Sequence, residues 1–335
     1  MIDNNEKNEV SLNALKLFVQ RELENEKIDD AEQKAKIFIE DFLDINKTEY
    51  ILKLNEDIFE ILNKRKEEFF NKLSKIKQNI PIEYIINKKY IYESEFFVKE
   101  GVLIPRTDTE ILIHESMKSI IKDIDCKIKE DKNIKMNIVD LCTGSGVVGI
   151  SVLKGVLDYL NKKSYNKELK IYFSFVDISD IALEVVNINI KKILLEDEKY
   201  KRFNLKDKLF IIKSDLFEEF NKSSLNFYFD YILSNPPYIK KSDLKNLAED
   251  VKKEPVIALD GGDDGLEFYK SILKSGLKYL NKDGKILFEI GMDQAEDIID
   301  IVNNINKENK IYSIEKILKD MEGRDRVLKI KRIKV

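Results

Sequence analysis

The segment Ser234-Asn235-Pro236-Pro237-Tyr238 has the residue types best suited to chemistry in this chain. A planar amide or an exocyclic amine is a poor nucleophile, because its lone pair is delocalised. Activating one takes acceptors that hold both N–H groups and aim the lone pair at an electrophile. The Asn235 side-chain oxygen and the Pro236 carbonyl are two such acceptors. Pro236 and Pro237 stiffen the turn and remove competing donors, and Tyr238 offers a flat face for a flat substrate group. The same residues would also serve as a plain rigid turn after a strand, and the features at three earlier strand ends weigh against that use.

The first of these features is Val139-Asp140-Leu141-Cys142-Thr143-Gly144-Ser145-Gly146, which follows an expected strand and leads into a helix beginning near Val147. Glycine there lets the backbone approach a ligand where a Cβ would collide. Such a turn is weak evidence alone, since many glycines merely end strands. The second strand ends in Val176-Asp177-Ile178-Ser179, where the Asp177 carboxylate suits two ribose hydroxyls, and Asp177 or Ser179 can also cap the next helix. After the third strand comes Ser214-Asp215-Leu216-Phe217, with Asp215 placed to accept from an adenine amino group while Leu216 or Phe217 lies against the ring. An open parallel sheet binds ligands beyond its carboxyl edge, so these ends are expected to share one nucleoside pocket.

The elements that position them follow from periodicity. Strands are expected at Met136–Leu141, Lys170–Val176, Leu209–Ile212, Tyr231–Leu233 and Gly284–Glu289, with two more around Tyr312 and Val327, separated mostly by helical patterns. That is an α/β parallel sheet covered by helices. From Ser11 to about Gln78 apolar residues recur at helical spacing without Gly or Pro, which predicts three or four helices capped at Ser11, Asp30 and Thr48. Pro81 ends that pattern, and the Ile-, Tyr- and Phe-rich stretch Ile82–Ile104 reads as extended strands or a hairpin. The expected domains are therefore 1–80, helical, 81–104, a hairpin linker, and 105–335, catalytic. The polar stretch Asn161–Glu168 is expected on the outer surface.

Composition excludes several classes. With 335 residues, 43% of them hydrophobic, the chain can bury a sizeable core. Lys+Arg at 58 against Asp+Glu at 62 lacks the basic excess of a protein held on nucleic acid by phosphate neutralisation. Cys126 and Cys142 are too few for a disulfide framework, and no Cys/His spacing points to a metal. The polar, acidic start and the absence of a long apolar run point to a cytoplasmic protein that neither enters a membrane nor is secreted.

Asn235 to Tyr238 resembles the Asn-Pro-Pro-Tyr motif of amino-methylating S-adenosylmethionine enzymes. Such an enzyme needs no nucleophilic side chain, because a sulfonium methyl is already activated and placement does the rest. The single His114, one turn after Glu110 on an expected helix, is accordingly assigned to solvent or packing rather than to a base.

Other landmarks narrow the resemblance. They are Pro81-Ile82-Glu83-Tyr84-Ile85, Val102 to Glu110, Glu254-Pro255 with Ala258 to Leu266, Phe288-Glu289-Ile290-Gly291, and Asp320 to Arg326. Together with the loop they resemble the bacterial release factor glutamine methyltransferase family over nearly the whole chain. Cys142 stands where that family often has Gly, Thr107-Asp108 replaces a common Pro-Glu pair, and Glu83 stands where Gln or an apolar residue is frequent. The resemblance implies a Rossmann-like methyltransferase domain with a small N-terminal helical domain that meets the protein substrate. It implies S-adenosylmethionine as cofactor, held by Cys142, Thr143, Gly144, Ser145, Gly146, Asp177, Asp215, Leu216 and Asn235. A substrate glutamine amide would be bound by Asn235, Pro236, Pro237 and Tyr238, with Asn235, Pro236 and Tyr238 catalytic, and the implied partners are peptide chain release factors. Arg106, Glu110, Glu254 and Arg326 suit either an ion-paired network or ligand contact.

Three alternatives stand beside this reading. An adenine-specific DNA methyltransferase would use the same loop on a flipped base, but residues 1–60 carry sixteen Asp/Glu against eight Lys/Arg and no basic recognition segment is evident. Glutamine methylation of a ribosomal protein is a closer alternative, sharing the fold, the loop and an N-terminal extension, and the motifs do little to separate it. A cofactor-binding module without activity would require a defective loop, and all four residues are present.

Overall fold

The computed structural model describes residues 9–130, 132–163, 169–222 and 228–333, so residues 164–168 of the polar stretch Asn161–Glu168 lie outside the described residues. Two compact units form: residues 1–88 with 248–253, and residues 89–247 with 254–335.

In the first unit, apolar residues at helical spacing fold into α1 (Leu12–Asn25), α2 (Ala31–Leu43), α3 (Lys47–Leu52), α4 (Phe59–Lys64), α5 (Lys66–Lys77) and α6 (Ile82–Ile86). Leu12, Leu15, Val19 and Leu23 make one buried stripe of α1. Phe38, Phe42 and Phe69 meet at its core, with ring centroids 5.1 Å apart for both Phe38–Phe69 and Phe42–Phe69. Among the described residues, five helices precede Pro81 where three or four are expected, because α3 and α4 are too short to show a period and only Arg65 separates α4 from α5.

Of the expected caps, Ser11 accepts from the Ala14 amide at 3.1 Å. Asp30 takes a left-handed backbone, φ 54°, and its side chain makes no capping bond. Asn46 replaces Thr48: its Oδ1 accepts from the Thr48 and Glu49 amides while the Glu49 carboxylate accepts from the Asn46 amide. The β-rich stretch after Pro81 opens with a helix because Ile82 and Tyr84 are buried, and burial outweighs strand propensity there. Residues 248–253 complete this unit, Asp250 pairing with Lys34 at 3.5 Å.

The hairpin β1 (Lys88–Ile91) and β2 (Ser94–Phe97) then leads to α7 (Thr109–Lys129). The second unit continues with β3 (Ile134–Leu141), α8 (Val147–Lys162), β4 (Leu169–Asp177), α9 (Asp180–Ile190), β5 (Leu209–Lys213), α10 (Glu218–Lys222) and β6 (Phe229–Ser234). It ends with α11 (Glu267–Tyr279), β7 (Leu280–Glu289), α12 (Ala295–Ile305), β8 (Tyr312–Lys319) and β9 (Asp325–Arg332). Seven strands form one sheet in the order β5-β4-β3-β6-β7-β9-β8, and β9 runs antiparallel to both its neighbours while the other pairs are parallel.

Alternate residues of the strands serve opposite faces. Tyr231, Leu233 and Leu287 join Ile150, Leu153 and Leu157 of α8 on one face. Ile232, Ile286 and Phe288 join Tyr269, Ile272 and Ile298 on the other. The chain order reverses between β3 and β6, which opens the crevice at their carboxyl ends. Register aligns those ends: Leu141 lies opposite both Val176 and Ser234, and Ser234 lies opposite Phe288.

Candidate active site

The turn after β3 is a backbone cradle. Cys142, Gly144 and Gly146 all take left-handed φ values of 56°, 55° and 82°. For Cys142 that conformation is strained, and it is where a glycine would sit without cost. A Cβ on Gly144 would meet nothing within 4 Å, so this edge of the turn faces open space, whereas one on Gly146 would lie 2.7 Å from the Ile150 side chain. Gly146 thus caps α8 and serves packing behind the cleft.

Two acids fix the turn. Asp140, buried beneath α8, accepts from the Thr143 hydroxyl at 2.7 Å and the Gly149 amide at 3.0 Å. Burial, with the charge of Asp177 adding, pushes its carboxyl up to about 7 despite those two bonds. Asp177 accepts from the Gly144 amide at 2.9 Å and from the Ser179 amide at 3.0 Å, and Ser179 caps α9 through a bond from the Ala182 amide. Burial raises the Asp177 carboxyl as well, opposed by these amides. Burial and then the two aspartates raise the Cys142 thiol, so it stays protonated and inert at neutral pH.

The loop after β6 is braced on its far side by the glycine-rich segment 258–266. The Ile239 amide donates to the Leu259 carbonyl, the Gly261 amide to the Ile239 carbonyl and the Lys241 amide to the Gly262 carbonyl, at 2.8 to 3.0 Å. Gln294 clamps both: its Nε2 donates to the Tyr238 carbonyl at 3.0 Å and the Gly265 carbonyl at 3.1 Å, while its Oε1 accepts from the Gly291 amide. A Cβ on Gly261 would lie 2.7 Å from the Tyr238 Cα and 2.9 Å from the Pro237 carbonyl oxygen. Gly261→Ala is therefore expected to displace the Pro237–Tyr238 backbone and lower kcat by about tenfold to a hundredfold, with cofactor affinity little changed. Steady-state kinetics beside calorimetry on the folded variant checks this, and an unchanged kcat would show that the loop tolerates the shift.

One cleft gathers most of the residues singled out from the sequence. Cys142, Thr143, Gly144, Ser145, Asp177, Asp215, Leu216, Asn235 and Pro237 line it, with Val102, Leu103, Pro105, Thr109, Pro255, Ile257 and Phe268 among the others. Gly146, Pro236 and Tyr238 are not among the lining residues. Pro236 is buried, and burial, then the nearby Glu289, pushes the Tyr238 phenol up to about 12. Phe217 turns into the core and stacks on Tyr279 with centroids 4.9 Å apart, leaving Leu216 as the one of the two that lines the cleft.

The charged residues of the remaining motifs tie elements together. Glu254 accepts from the Ile104 amide at 2.9 Å and pairs with Arg106. Glu110 accepts from the Tyr92 amide at 3.1 Å, and Arg326 lies between Asp108 at 3.1 Å and Asp320 at 3.0 Å. His114 and Cys126 are exposed. Among the described residues, no helix is long and apolar enough to cross a membrane.

A seven-stranded sheet with one reversed strand, a glycine turn after its first parallel strand and an acid after its second make this a Rossmann-like α/β fold. The chain is 37% identical over 277 residues to the release factor glutamine methyltransferase of Clostridium botulinum, covering 82% of this chain and 83% of that protein. It is 36% identical to that of Clostridium acetobutylicum over 83% of this chain and 87% of that protein. It is also 36% identical to the ribosomal protein uL3 glutamine methyltransferase of Francisella tularensis, over 64% of this chain and 57% of that protein. No family model matches. The chain belongs to the release factor glutamine methyltransferase family.

Proposed function

We propose that this protein transfers a methyl group from S-adenosylmethionine to the side-chain amide nitrogen of the glutamine in a Gly-Gly-Gln loop of peptide chain release factors. The observation that carries the reading is one cleft lined by both the glycine turn with Asp177 and, from the loop after β6, Asn235 and Pro237. The residues present fit the cofactor. Gly144 leaves open space where a Cβ would stand, Asp177 keeps lone pairs free after accepting from two amides, and Leu216 with Asp215 borders a slot of mostly apolar lining. Cys142, Thr143 and Ser145 complete the cradle, and Gly146 shapes it from behind.

When bound, the cofactor supplies a sulfonium methyl already activated toward a nitrogen nucleophile. The chain's own part is placement and exclusion of water. Asn235 Oδ1 and the Pro236 carbonyl accept the two N–H groups of the substrate amide, which turns its nitrogen lone pair toward the cleft. Pro237 and Tyr238 hold that geometry, stiffened by the glycine brace and Gln294. The nitrogen that takes up the methyl would give up one N–H proton, held by Asn235 Oδ1 or the Pro236 carbonyl until it leaves for solvent as the site opens. The helical unit supplies contact area for the folded release factor, since a single amide offers few atoms for specificity.

The test is mass spectrometry of a release factor incubated with the protein and isotopically labelled cofactor. One labelled methyl on the glutamine of the Gly-Gly-Gln loop is expected. Label on ribosomal protein uL3 or on DNA instead, with none on the release factor, would overturn the substrate assignment.

A further inference from the structure

Glu289 ends β7 beside the substrate loop. Ser234 lies opposite Phe288 in the parallel register of β6 and β7, so Asn235, the first residue past β6, lies beside Glu289, the last residue of β7. The Glu289 side chain is 2% exposed, and its Oε2 has no hydrogen-bond partner among the described residues. Burying a carboxyl so incompletely satisfied is costly, and an apolar side chain like its neighbours Phe288 and Ile290 would not carry that cost. The Thr109 hydroxyl and the Asn235 amide are the polar groups beside it that favour its ionised form. Asn235 Nδ2 in turn donates to Thr109 Oγ1 at 3.4 Å.

We infer that Glu289 is a positioning residue that sets the flip of the Asn235 amide, holding Nδ2 toward itself and Thr109 and leaving Oδ1 for the substrate N–H. This rests on the reading that Asn235 receives the glutamine amide. The two ends of an asparagine amide have nearly the same shape, and with the wrong flip Asn235 would present donors to the donors of its substrate. A hydroxyl cannot choose between them, because Thr109 can donate or accept. An ionised carboxylate only accepts, so it admits one flip. A protonated Glu289 could donate to Oδ1 and would lose that discrimination.

The electrostatics make this control pH-dependent. Burial pushes the Glu289 carboxyl up to about 7, with Asp108 raising it further and Thr109, Arg326 and Asn235 lowering it. The phenols facing it, Tyr238 and Tyr269, are themselves raised and stay neutral through that range. Above about pH 7 the carboxylate is ionised and the amide is fixed, and below it the flip is released. Turnover therefore rises with pH through that value.

The experiment compares the full-length wild type, Glu289→Gln and Glu289→Asp on a Gly-Gly-Gln peptide and by NMR of the Asn235 side-chain amide. The wild-type kcat should climb with an apparent pKa near 7, and the Asn235 Nδ2 resonances should move over the same range. Glu289→Gln should lower kcat by about tenfold or more with cofactor Kd and peptide KM nearly unchanged, and both pH responses should vanish. Glu289→Asp should restore part of each. A Glu289→Gln protein that keeps the wild-type kcat, or loses activity while retaining the same pH limb, overturns the inference. So does a wild-type Asn235 resonance that is indifferent to pH, a readout that survives even if the Gln variant fails to fold. Movement of that resonance without any methylation of the peptide would instead sink the glutamine reading and leave the positioning intact.

Discussion

Asn235→Ala is expected to lower the single-turnover rate of methyl transfer by about two to three orders of magnitude, the range seen when one preorganised hydrogen-bonding group is removed from an active site. Cofactor affinity should change far less. Asn235 follows the buried β6 end, where the Ser234 hydroxyl donates to the Leu141 carbonyl at 2.8 Å, so the backbone that carries it is fixed independently of its own side chain. Removing the side chain deletes an acceptor for one substrate N–H and leaves the Pro236 carbonyl alone to orient the amide. The nitrogen lone pair then loses its alignment while the cofactor cradle of Thr143, Gly144 and Asp177 stays in place. Quenched-flow rates with pre-bound cofactor, beside calorimetric titration of the same protein, separate the two effects. An alanine variant that still transfers methyl at the wild-type rate would remove Asn235 from the chemistry.

Much of this arrangement was legible before folding because parallel strands buried on both faces announce themselves as short β-branched runs. Ile138, Ile171 and Ile232 fall inside such runs, and the residue just after each run becomes a strand-end residue by register alone. That is why Cys142, Asp177 and Asn235 could be expected to converge. The details that were not legible depend on contacts distant in sequence. Whether Leu216 or Phe217 faces the cleft is decided by Tyr279, whose ring takes Phe217 into the core. Thr48 lost the cap to Asn46 because the reciprocal bond with Glu49 satisfies two amides at once, and the helix it starts is only six residues long.

The glycine-rich segment Ala258–Leu266 illustrates the same limit. Its residues could be matched to a family, yet nothing local says what they touch. Gly261 packs its bare Cα against the Tyr238 backbone and Gly265 lies within reach of the Tyr238 carbonyl, so the segment acts as the outer wall of the substrate loop. Gln294, from a turn before α12, closes that wall from a third position in the chain. Glu289 was visible as part of a motif but not as the neighbour of Asn235, which only the pairing of β6 with β7 establishes.

Asp177→Ala should weaken S-adenosylmethionine binding by about 1.5 to 3 kcal/mol, roughly ten- to a hundredfold in Kd, because it removes charge-assisted acceptors for the ribose hydroxyls. The effect has a second source in this fold. The same carboxylate accepts from the Gly144 and Ser179 amides, so its loss also leaves two N–H groups at the cleft without their partner and loosens the turn that contacts the cofactor. Asp177→Asn separates the contributions: it keeps the shape and one acceptor but not the charge, and should fall between wild type and alanine. The sign with pH follows from protonation. Burial raises the Asp177 carboxyl above the ordinary range, and its protonated form is a poorer acceptor, so affinity should weaken on acidification and do so at higher pH than for an exposed aspartate. Calorimetric titration across pH measures both the magnitude and the direction. Equal affinity in folded wild-type and alanine proteins, or binding that tightens as pH falls, would take Asp177 out of the cofactor site and leave it as a brace for the glycine turn alone.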